Sequence, residues 1–272
     1  MEKTVTPREA DFTGYHSFRF PDDFDISWPD FYRQADARAA QVRRTVRNER
    51  HVLYGDHPFQ LLNVFLPAAP AAAPLFLFAH GGGFREGHPD HYDSLAPAFV
   101  EAGAIFVTYG YRLRPEADMP EAVDDGAHAV AWAFRNAARL GGDPARIFIG
   151  GHSAGAMIAA SLAVRDDWQA PLGLPPDVIR GAALISGRYD ASVRRLPERM
   201  VIAFGPAEKN RRGADPSLLA RSSRDFAAVI ERAGGSVELV PVEGADHRDT
   251  ARMLGEAGSP VFDAVERMIR PG

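Results

Sequence analysis

The amino-acid sequence predicts an α/β fold, in which about eight strands form one mostly parallel sheet that helices cover on both faces. Strand-like and helix-like patterns alternate along most of the 272 residues, and this order favours parallel pairing. Residues 75–79 (Leu-Phe-Leu-Phe-Ala) are apolar at every position, as expected for a strand buried on both faces. Residues 151–155 form a Gly-x-Ser-x-Gly turn that joins an apolar strand pattern to an Ala-rich helix pattern.

The N-terminal residues differ in pattern from the rest of the chain. Residues 1–27 are polar, with scattered aromatic side chains and no clear period, so we expect an irregular segment. From Trp28 onward apolar side chains recur at helical spacing, which predicts an amphipathic helix. This helix either packs on the core or carries aromatic side chains such as Trp28 and Tyr32 over a site as part of a lid. We therefore divide the chain into an N-terminal cap or lid segment, residues 1–48, and one α/β domain, residues 49–272.

The predicted elements of this domain follow one another closely. Strand patterns occupy residues 50–54, 60–66, 75–79, 104–109, 147–150, 181–186, 200–204 and 237–240. Helix patterns occupy residues 92–102, 120–139, the stretch after the Gly-x-Ser-x-Gly turn, residues 216–233, and one or two segments near the C terminus. The first two strands are expected to form an antiparallel hairpin. In a parallel sheet of this kind, ligands bind at the carboxyl ends of the strands.

The composition narrows the classes of function. The formal net charge is −5, so no overall basic bias points to a nucleic-acid partner. The chain has no cysteine, which excludes disulfides, thiolate metal sites and a cysteine nucleophile. The N-terminal sequence lacks the apolar core of a signal peptide, and no apolar run approaches the roughly 18 residues of a membrane span. We therefore expect a cytoplasmic protein without a membrane partner.

Polar residues in two further places are candidates for a site. The segment 88–91 (His-Pro-Asp-His) offers side chains that bind metals, but its proline disfavours a helical histidine pair and a third ligand is not apparent nearby. We expect a solvated loop there, and neither a metal nor a cofactor. Asp124, Asp125 and His128, in the helix pattern 120–139, are expected to serve the start of the helix and the protein surface.

Ser153 is the candidate nucleophile. A serine hydroxyl attacks carbonyl carbon poorly by itself, so it must lie on a tight turn beside a base and beside donors that receive the developing oxyanion. Gly151 and Gly155 lack side chains and allow a sharp strand-to-helix reversal, after which the helix directs its first N–H groups at the reacting centre. The alternative is a serine that only caps a helix.

A second glycine cluster, residues 80–84 (His-Gly-Gly-Gly-Phe), follows the apolar strand 75–79. A tetrahedral intermediate needs backbone N–H donors aimed at its oxygen, and glycines let the main chain approach a substrate closely. In folds with this serine turn, one donor comes from the residue after the nucleophile, here Ala154, and another from the loop after the third strand, here Gly82 or Gly83. Taken alone, the cluster is equally typical of a flexible turn.

The order of residues along the chain indicates the histidine and the acid that would act with Ser153. The α/β-hydrolase fold places nucleophile, acid and histidine in that order, and only one of the nine histidines, His247, follows Ser153. Glu208, which lies just beyond a predicted strand, is the first choice for the acid. Asp215 and Asp190 are the alternatives, because each also follows the end of a strand.

Several motifs together carry a family resemblance. They are Leu-Tyr-Gly at 53–55, Gln-Leu-Leu-Asn-Val-Phe-Leu-Pro at 60–67, His-Gly-Gly-Gly-Phe at 80–84, Tyr-Arg-Leu at 111–113, Gly-Asp-Pro at 142–144, Gly-His-Ser-Ala-Gly at 151–155, Ser-Gly-Arg-Tyr-Asp at 186–190 and Asp-His at 246–247. The sequence resembles bacterial arylformamidase (kynurenine formamidase)-like α/β hydrolases over roughly residues 50–256. That family usually has Asp at the position of Glu208 and an aromatic residue at that of Gly83. The full His-Gly-Gly-Gly is more similar to the hormone-sensitive-lipase group of carboxylesterases. That group usually has an acidic residue directly before the serine, where this chain has His152.

The resemblance implies an α/β-hydrolase fold and the hydrolysis of small carboxylic esters or N-formyl aryl amides without a cofactor. Position by position it supports Ser153, His247 and Glu208 as the triad, and the donors of Gly82, Gly83 and Ala154. The candidates for lining the substrate pocket are Phe84, His152, Trp28 and Tyr32. Two alternatives stay open, a hydrolase of larger amides or carbamates and a non-catalytic receptor for small molecules on the same fold. The sequence leaves the oligomeric state open.

Overall fold

A single eight-stranded sheet organises the computed structural model, which describes residues 28–190, 192–208 and 214–270. The strands are β1 (Asn48–Leu53), β2 (Leu61–Phe65), β3 (Ala73–Ala79), β4 (Ile105–Tyr109), β5 (Gly142–His152), β6 (Ile179–Ile185), β7 (Arg199–Phe204) and β8 (Val237–Pro241). The helices are α1 (Trp28–Thr45), α2 (Ala96–Glu101), α3 (Met119–Asn136), α4 (Ala154–Val164), α5 (Leu218–Arg232), α6 (His247–Met253) and α7 (Pro260–Ile269). Strands and helices therefore alternate as predicted, and the α/β fold is confirmed.

The order of the strands explains where a site can form. Along the sheet they lie in the order β1-β2-β4-β3-β5-β6-β7-β8. The pairs β1–β2 and β2–β4 are antiparallel, so the predicted hairpin forms, and the other neighbouring pairs are parallel. Because parallel strands end at the same edge, the loops after β3, β5, β7 and β8 meet there. These are the loops that carry the candidate site residues.

Strand β3 shows how both faces of the sheet are buried. Leu75 and Leu77 contribute to the core that α3 and α4 cover, whereas Phe76 and Phe78 contribute to the core on the other face. The ring of Phe76 stacks on that of Phe99, from α2, with 4.8 Å between centroids. All five side chains are fully buried, and each such burial contributes about 1.5–3 kcal/mol to stability. This packing gives the site a rigid support.

The helix predicted for residues 92–102 differs in its first part. The chain forms a 3₁₀ helix over Pro89–Leu95, and α2 begins only at Ala96. Pro97 lies at the start of α2, a position that tolerates proline because its missing N–H would have no partner in the helix. The boundary thus follows from the proline.

The segment 88–91 is mostly buried, so the expectation of a solvated loop is wrong. The Oδ2 atom of Asp90 accepts a hydrogen bond of 2.5 Å from Arg50, and Oδ2 of Asp93 accepts one of 2.9 Å from Nε of Arg43. Burying these carboxylates is favourable only because the arginines accompany them. The partners lie about 40 and 50 residues away along the chain, which is why the local pattern did not predict them.

Asp125 is also misjudged by its local pattern. Its side chain is fully buried in the described structure, not at the surface. The carboxylate accepts hydrogen bonds from the backbone N–H of Arg112 at 2.8 Å, from the guanidinium of the same residue at 2.8 Å, and from Nε2 of Gln60 at 2.7 Å. Asp125 therefore ties α3 to the hairpin and to the loop after β4.

Helix α1 packs on the body of the protein through one face. Ala35 and Ala39 are fully buried, and the ring of Tyr32 stacks on that of His91 with 4.2 Å between centroids. The hydroxyl of Tyr32 also interacts electrostatically with Glu86, in the loop after β3. The described part of α1 thus corresponds to the interpretation of a helix packed on the core.

The division at residue 48 and the lid role of the first segment stay predictions, since residues 1–27 lie outside the described residues. The side chain of Trp28 lies outside them as well. None of the helices in the described ranges combines the length and the apolar composition that a membrane span needs.

The burial of Glu86 predicts that the stability of the protein depends on pH. Burial raises the pKa of Glu86 from 4.5 to about 7, and the interaction with Tyr32 acts in the opposite direction. The folded protein therefore binds this proton more tightly than the unfolded chain, and stability falls as the pH rises between those two values. The side chain of the Glu86→Gln variant stays neutral at every pH. The unfolding temperature of the variant minus that of the parent should therefore increase as the pH rises from about 5 to about 8. The control is Glu101→Gln, at an exposed carboxylate. A difference that does not change with pH would contradict this assignment.

Candidate active site

The Gly-x-Ser-x-Gly turn forms a sharp connection between β5 and α4. Ser153 adopts φ 55° and ψ −115°, which is unusual for a residue with a side chain. A Cβ atom on Gly155 would lie 2.1 Å from the carbonyl oxygen of Ala79, so only glycine fits there. The turn therefore depends on close contact with the end of β3. It leaves Ser153 partly exposed at the carboxyl edge of the sheet.

The His-Gly-Gly-Gly-Phe loop lies beside this turn. Ala79, the last residue of β3, pairs with Gly151 of β5, so the two glycine clusters leave the sheet side by side. Gly82 has φ 129°, and a Cβ atom on it would lie 1.9 Å from the carbonyl oxygen of Glu86. Gly83 has φ 62° and is exposed. The backbone of the loop is thus bent in a way that ordinary residues do not adopt.

Ala154 is the first residue of α4. The first N–H groups of a helix have no acceptor within the helix and carry its positive dipole end. The predicted oxyanion donors, Gly82, Gly83 and Ala154, therefore belong to two chain segments at one edge of the sheet. Ala154 follows Ser153 in sequence, and the glycine loop follows the strand that pairs with β5, so these N–H groups are the candidates for binding an anionic oxygen.

His247 and Glu208 form a buried hydrogen-bonded pair. Nδ1 of His247 lies 2.7 Å from Oε2 of Glu208, and the two side chains are about 1% and 0% exposed. Since a carboxylate only accepts, Nδ1 donates, and Nε2 of the neutral ring carries the lone pair that accepts a proton. The pair thus has the orientation that a general base requires.

The second oxygen of Glu208 is held just as tightly. Oε1 accepts a hydrogen bond of 2.5 Å from the hydroxyl of Ser186 and one of 2.6 Å from the backbone N–H of Gly205. Ser186, which follows β6, has φ 51°. The hydroxyl of Thr250, in α6, lies 2.8 Å from that of Ser186. Ser186 and Gly205 thus hold the carboxylate that orients His247, and Thr250 holds Ser186.

The alternative acids have other partners. Asp215 is exposed and accepts hydrogen bonds from Ser217 and Arg221, and Asp190 is exposed after β6. Glu208 is the candidate that the structure joins to His247.

Sequence reasoning gave no role to Ser186, Thr250 or Tyr92, which contact the candidate residues. Ser186 lay within a quoted motif, and its position directly after a strand was the one available signal. Thr250 and Tyr92 carried none, because each belongs to a helix whose relation to the sheet the sequence does not specify.

His152 lies inside the framework of the site and is fully buried. Its Nε2 lies 2.7 Å from the carbonyl oxygen of His247, and its Nδ1 lies 3.0 Å from the hydroxyl of Tyr92. Burial lowers the pKa of His152 well below its usual value, and the proximity of His247 adds to this effect. With both nitrogens engaged, His152 supports the site from behind and does not offer its ring to a pocket.

The other predicted pocket residues lie around the loop after β3. Phe84 has φ 60° and packs against the ring of Tyr111, with 6.2 Å between centroids. Tyr32 lies on α1 against His91. Within the described residues no group of three or more side chains comes together in a way that could hold a metal ion.

Known proteins are similar to this chain in sequence. A family model for the α/β-hydrolase fold matches residues 76–208. Esterase LipC from Mycobacterium tuberculosis is 31% identical over 249 residues, covering 80% of this chain and 61% of that protein. Kynurenine formamidase from Danio rerio is 32% identical over 154 residues, covering 56% of this chain and 49% of that protein. The chain thus spans about half to three fifths of the length of these curated relatives.

A solved structure agrees on the fold. The esterase of Pyrobaculum calidifontis superposes with a TM-score of 0.69, with 18% sequence identity, over 93% of this chain and 94% of that chain. At this identity the likeness concerns the fold alone. Together with the family model and the relatives, it confirms the predicted fold and the family resemblance. The chain therefore has the α/β-hydrolase fold.

Proposed function

We propose that this protein is a serine hydrolase that cleaves small carboxylic esters or aryl N-formyl amides through an acyl-enzyme on Ser153. The observation that carries the proposal is the buried hydrogen bond of 2.7 Å between His247 and Glu208 at the edge of the sheet where Ser153 directly follows β5. The ring of His152, the residue before Ser153, lies 4.6 Å from the ring of His247. All these residues belong to the predicted domain 49–272.

The reaction would proceed by two transfers of the acyl group. Nε2 of His247 accepts the proton of Ser153, whose Oγ attacks the carbonyl carbon of the substrate. The N–H groups of Gly82, Gly83 and Ala154 receive the negative oxygen of the tetrahedral intermediate. His247 then gives its proton to the leaving alcohol or amine. Water, deprotonated by His247, attacks the acyl-enzyme and releases the acid and the free serine.

Glu208 would assist without changing its own protonation. It keeps the proton of His247 on Nδ1, so that Nε2 faces the reaction, and its negative charge stabilises the imidazolium that forms. The hydrogen bonds from Ser186 and Gly205 hold the carboxylate in this position.

The substrate class rests on the leaving group and on the relatives. LipC is named an esterase and the Danio rerio protein a kynurenine formamidase, so both esters and a formamide are candidates for this chain. An amine must be protonated by His247 as it departs, whereas a phenolate leaves with little help. Comparing the two substrate types therefore probes how well His247 acts as an acid.

Replacing the nucleophile tests the proposal directly. The parent protein should hydrolyse p-nitrophenyl acetate with an initial burst, and Ser153→Ala should lose the burst and reduce kcat by on the order of 10⁴-fold or more, because no acyl-enzyme forms. Stopped-flow absorbance of p-nitrophenol measures both. Parental turnover in the Ser153→Ala variant would place the nucleophile at another residue.

Two acid variants form a matched pair. Glu208→Gln should reduce kcat on the order of 10³–10⁴-fold, since the amide favours the wrong histidine tautomer. Asp215→Asn removes an equal charge from an exposed site and should change kcat by roughly twofold at most. Steady-state kinetics with one ester decide between them, and the reverse ranking would assign the acid to Asp215.

A side-by-side assay narrows the substrate class. We expect measurable kcat/KM for acetate and butyrate esters and for N-formylkynurenine, all abolished in the Ser153→Ala variant. Product formation by liquid chromatography gives the three values under one set of conditions. Activity on the esters alone would remove the formamide from the proposal.

A further inference from the structure

Three hydrogen bonds join the oxyanion loop to the catalytic base through the interior of the protein. The N–H of Gly81 lies 3.2 Å from the hydroxyl oxygen of Tyr92, this hydroxyl lies 3.0 Å from Nδ1 of His152, and Nε2 of His152 lies 2.7 Å from the carbonyl oxygen of His247. We call these four residues the Tyr92–His152 relay. They come from the loop after β3, the 3₁₀ helix, the end of β5 and the start of α6.

Elementary chemistry fixes the direction of every bond in the relay. A carbonyl oxygen only accepts, so Nε2 of His152 carries the hydrogen. A neutral imidazole has a single N–H, and Nδ1 is therefore an acceptor that takes the hydrogen of the Tyr92 hydroxyl. The oxygen of that hydroxyl in turn accepts from the N–H of Gly81. The chain of donors runs without a break from the glycine loop to His247.

Burial shields the relay from water, and the carbonyl oxygen of His247 also accepts a hydrogen bond of 3.2 Å from the hydroxyl of Thr250. His152 is 0% exposed, Tyr92 2% and His247 1%, so water does not replace a bond that is lost. The fit is also tight, because a Cβ atom on Gly81 would lie 2.8 Å from Nδ1 of His152 and 3.0 Å from the Tyr92 hydroxyl oxygen. The first glycine of the loop is thus packed directly against the relay.

We propose that Tyr92 and His152 are positioning residues, which hold the main chain of His247 at a fixed distance from the glycine loop that carries the oxyanion donors. The inference rests on the proposed roles of His247 and that loop. Neither Tyr92 nor His152 touches the reacting atoms. They set the spacing between the base on one side of the substrate carbonyl and the N–H donors on the other.

The proposed role of the relay requires that His152 is neutral. His247 becomes positively charged when it takes the serine proton, and its ring centroid lies only 4.6 Å from that of His152. A second positive charge at this distance would oppose that proton transfer. The relay avoids the conflict, since Gly81, Tyr92 and His152 are uncharged and His152 presents a lone pair to Tyr92.

Two replacements of His152 separate its two bonds. Gln has its terminal amide about where Nε2 of histidine lies, so His152→Gln retains the donor to the carbonyl of His247. Asn reaches only the position of Nδ1 and loses that donor. We expect kcat for a p-nitrophenyl ester to fall about 10- to 100-fold in His152→Asn and clearly less in His152→Gln, with KM within about twofold of the parent in both. Equal losses in the two variants, or a change confined to KM, would overturn the proposal.

Tyr92→Phe removes the middle of the relay and should lower kcat about tenfold, again with little change in KM. Its matched control is Tyr54→Phe, which also removes a hydrogen-bonded tyrosine hydroxyl, here one that donates to the carbonyl oxygen of Gly110 at 2.6 Å. The control should retain parental kcat at a comparable loss of unfolding temperature. If both variants lose kcat in proportion to their unfolding temperatures, Tyr92 is only a structural residue and the proposal fails.

A measurement without turnover keeps the inference independent of the proposed function. In the ¹⁵N-histidine-labelled parent at neutral pH, long-range NMR correlations should show His152 protonated at Nε2 and unprotonated at Nδ1, with the Nδ1 resonance shifting in Tyr92→Phe. Protonation at Nδ1 would overturn the relay even if the enzyme is active. Absence of hydrolysis together with the expected tautomer would instead count against the proposed activity and leave the relay standing.

Discussion

The buried hydrogen bond between His247 and Glu208 is the interaction to which the rest of the site is fitted. A charged carboxylate inside a protein is costly unless donors surround it, and here His247, Ser186 and Gly205 supply them at 2.5–2.7 Å. The donors come from the ends of β6 and β7 and from the start of α6, which follows β8. Only a sheet in which β6, β7 and β8 run parallel brings those ends to one edge. The topology of the sheet is therefore a condition for the charge pair.

The backbone at this edge is strained, and the core supports it. Ser153 and Ser186 both have positive φ, at 55° and 51°, and each such residue costs on the order of 1–3 kcal/mol. Ser153 follows six buried residues at the end of β5, and Ser186 follows five at the end of β6, so relaxing either turn would disturb close packing. The strained turns place Ser153 directly after β5, where it is partly exposed, and direct Ser186 toward Glu208.

The parts of the molecule that were predictable are those with local causes. The apolar run 75–79, the strand-to-helix glycine turn and the position of His247 after the last strand each have a signature within a few residues. Asp125, the segment 88–91 and the role of His152 were misjudged. Their surroundings are set by partners between about 13 and 95 residues away, such as Arg112 and the carbonyl of His247, which periodicity does not show. Side-chain networks of this kind depend on the assembled fold.

The two networks around His247 differ in charge, and the difference has a physical reason. The imidazolium formed in the proposed reaction needs one negative partner, and Glu208 provides it at Nδ1. A second buried carboxylate behind His152 would require its own set of donors and would raise the pKa of the first by like-charge repulsion. A neutral chain from Gly81 through Tyr92 to His152 fixes the main chain of His247 without that penalty. Orientation and charge stabilisation are thus supplied by separate groups, and a substitution in one network need not alter the charge of the other.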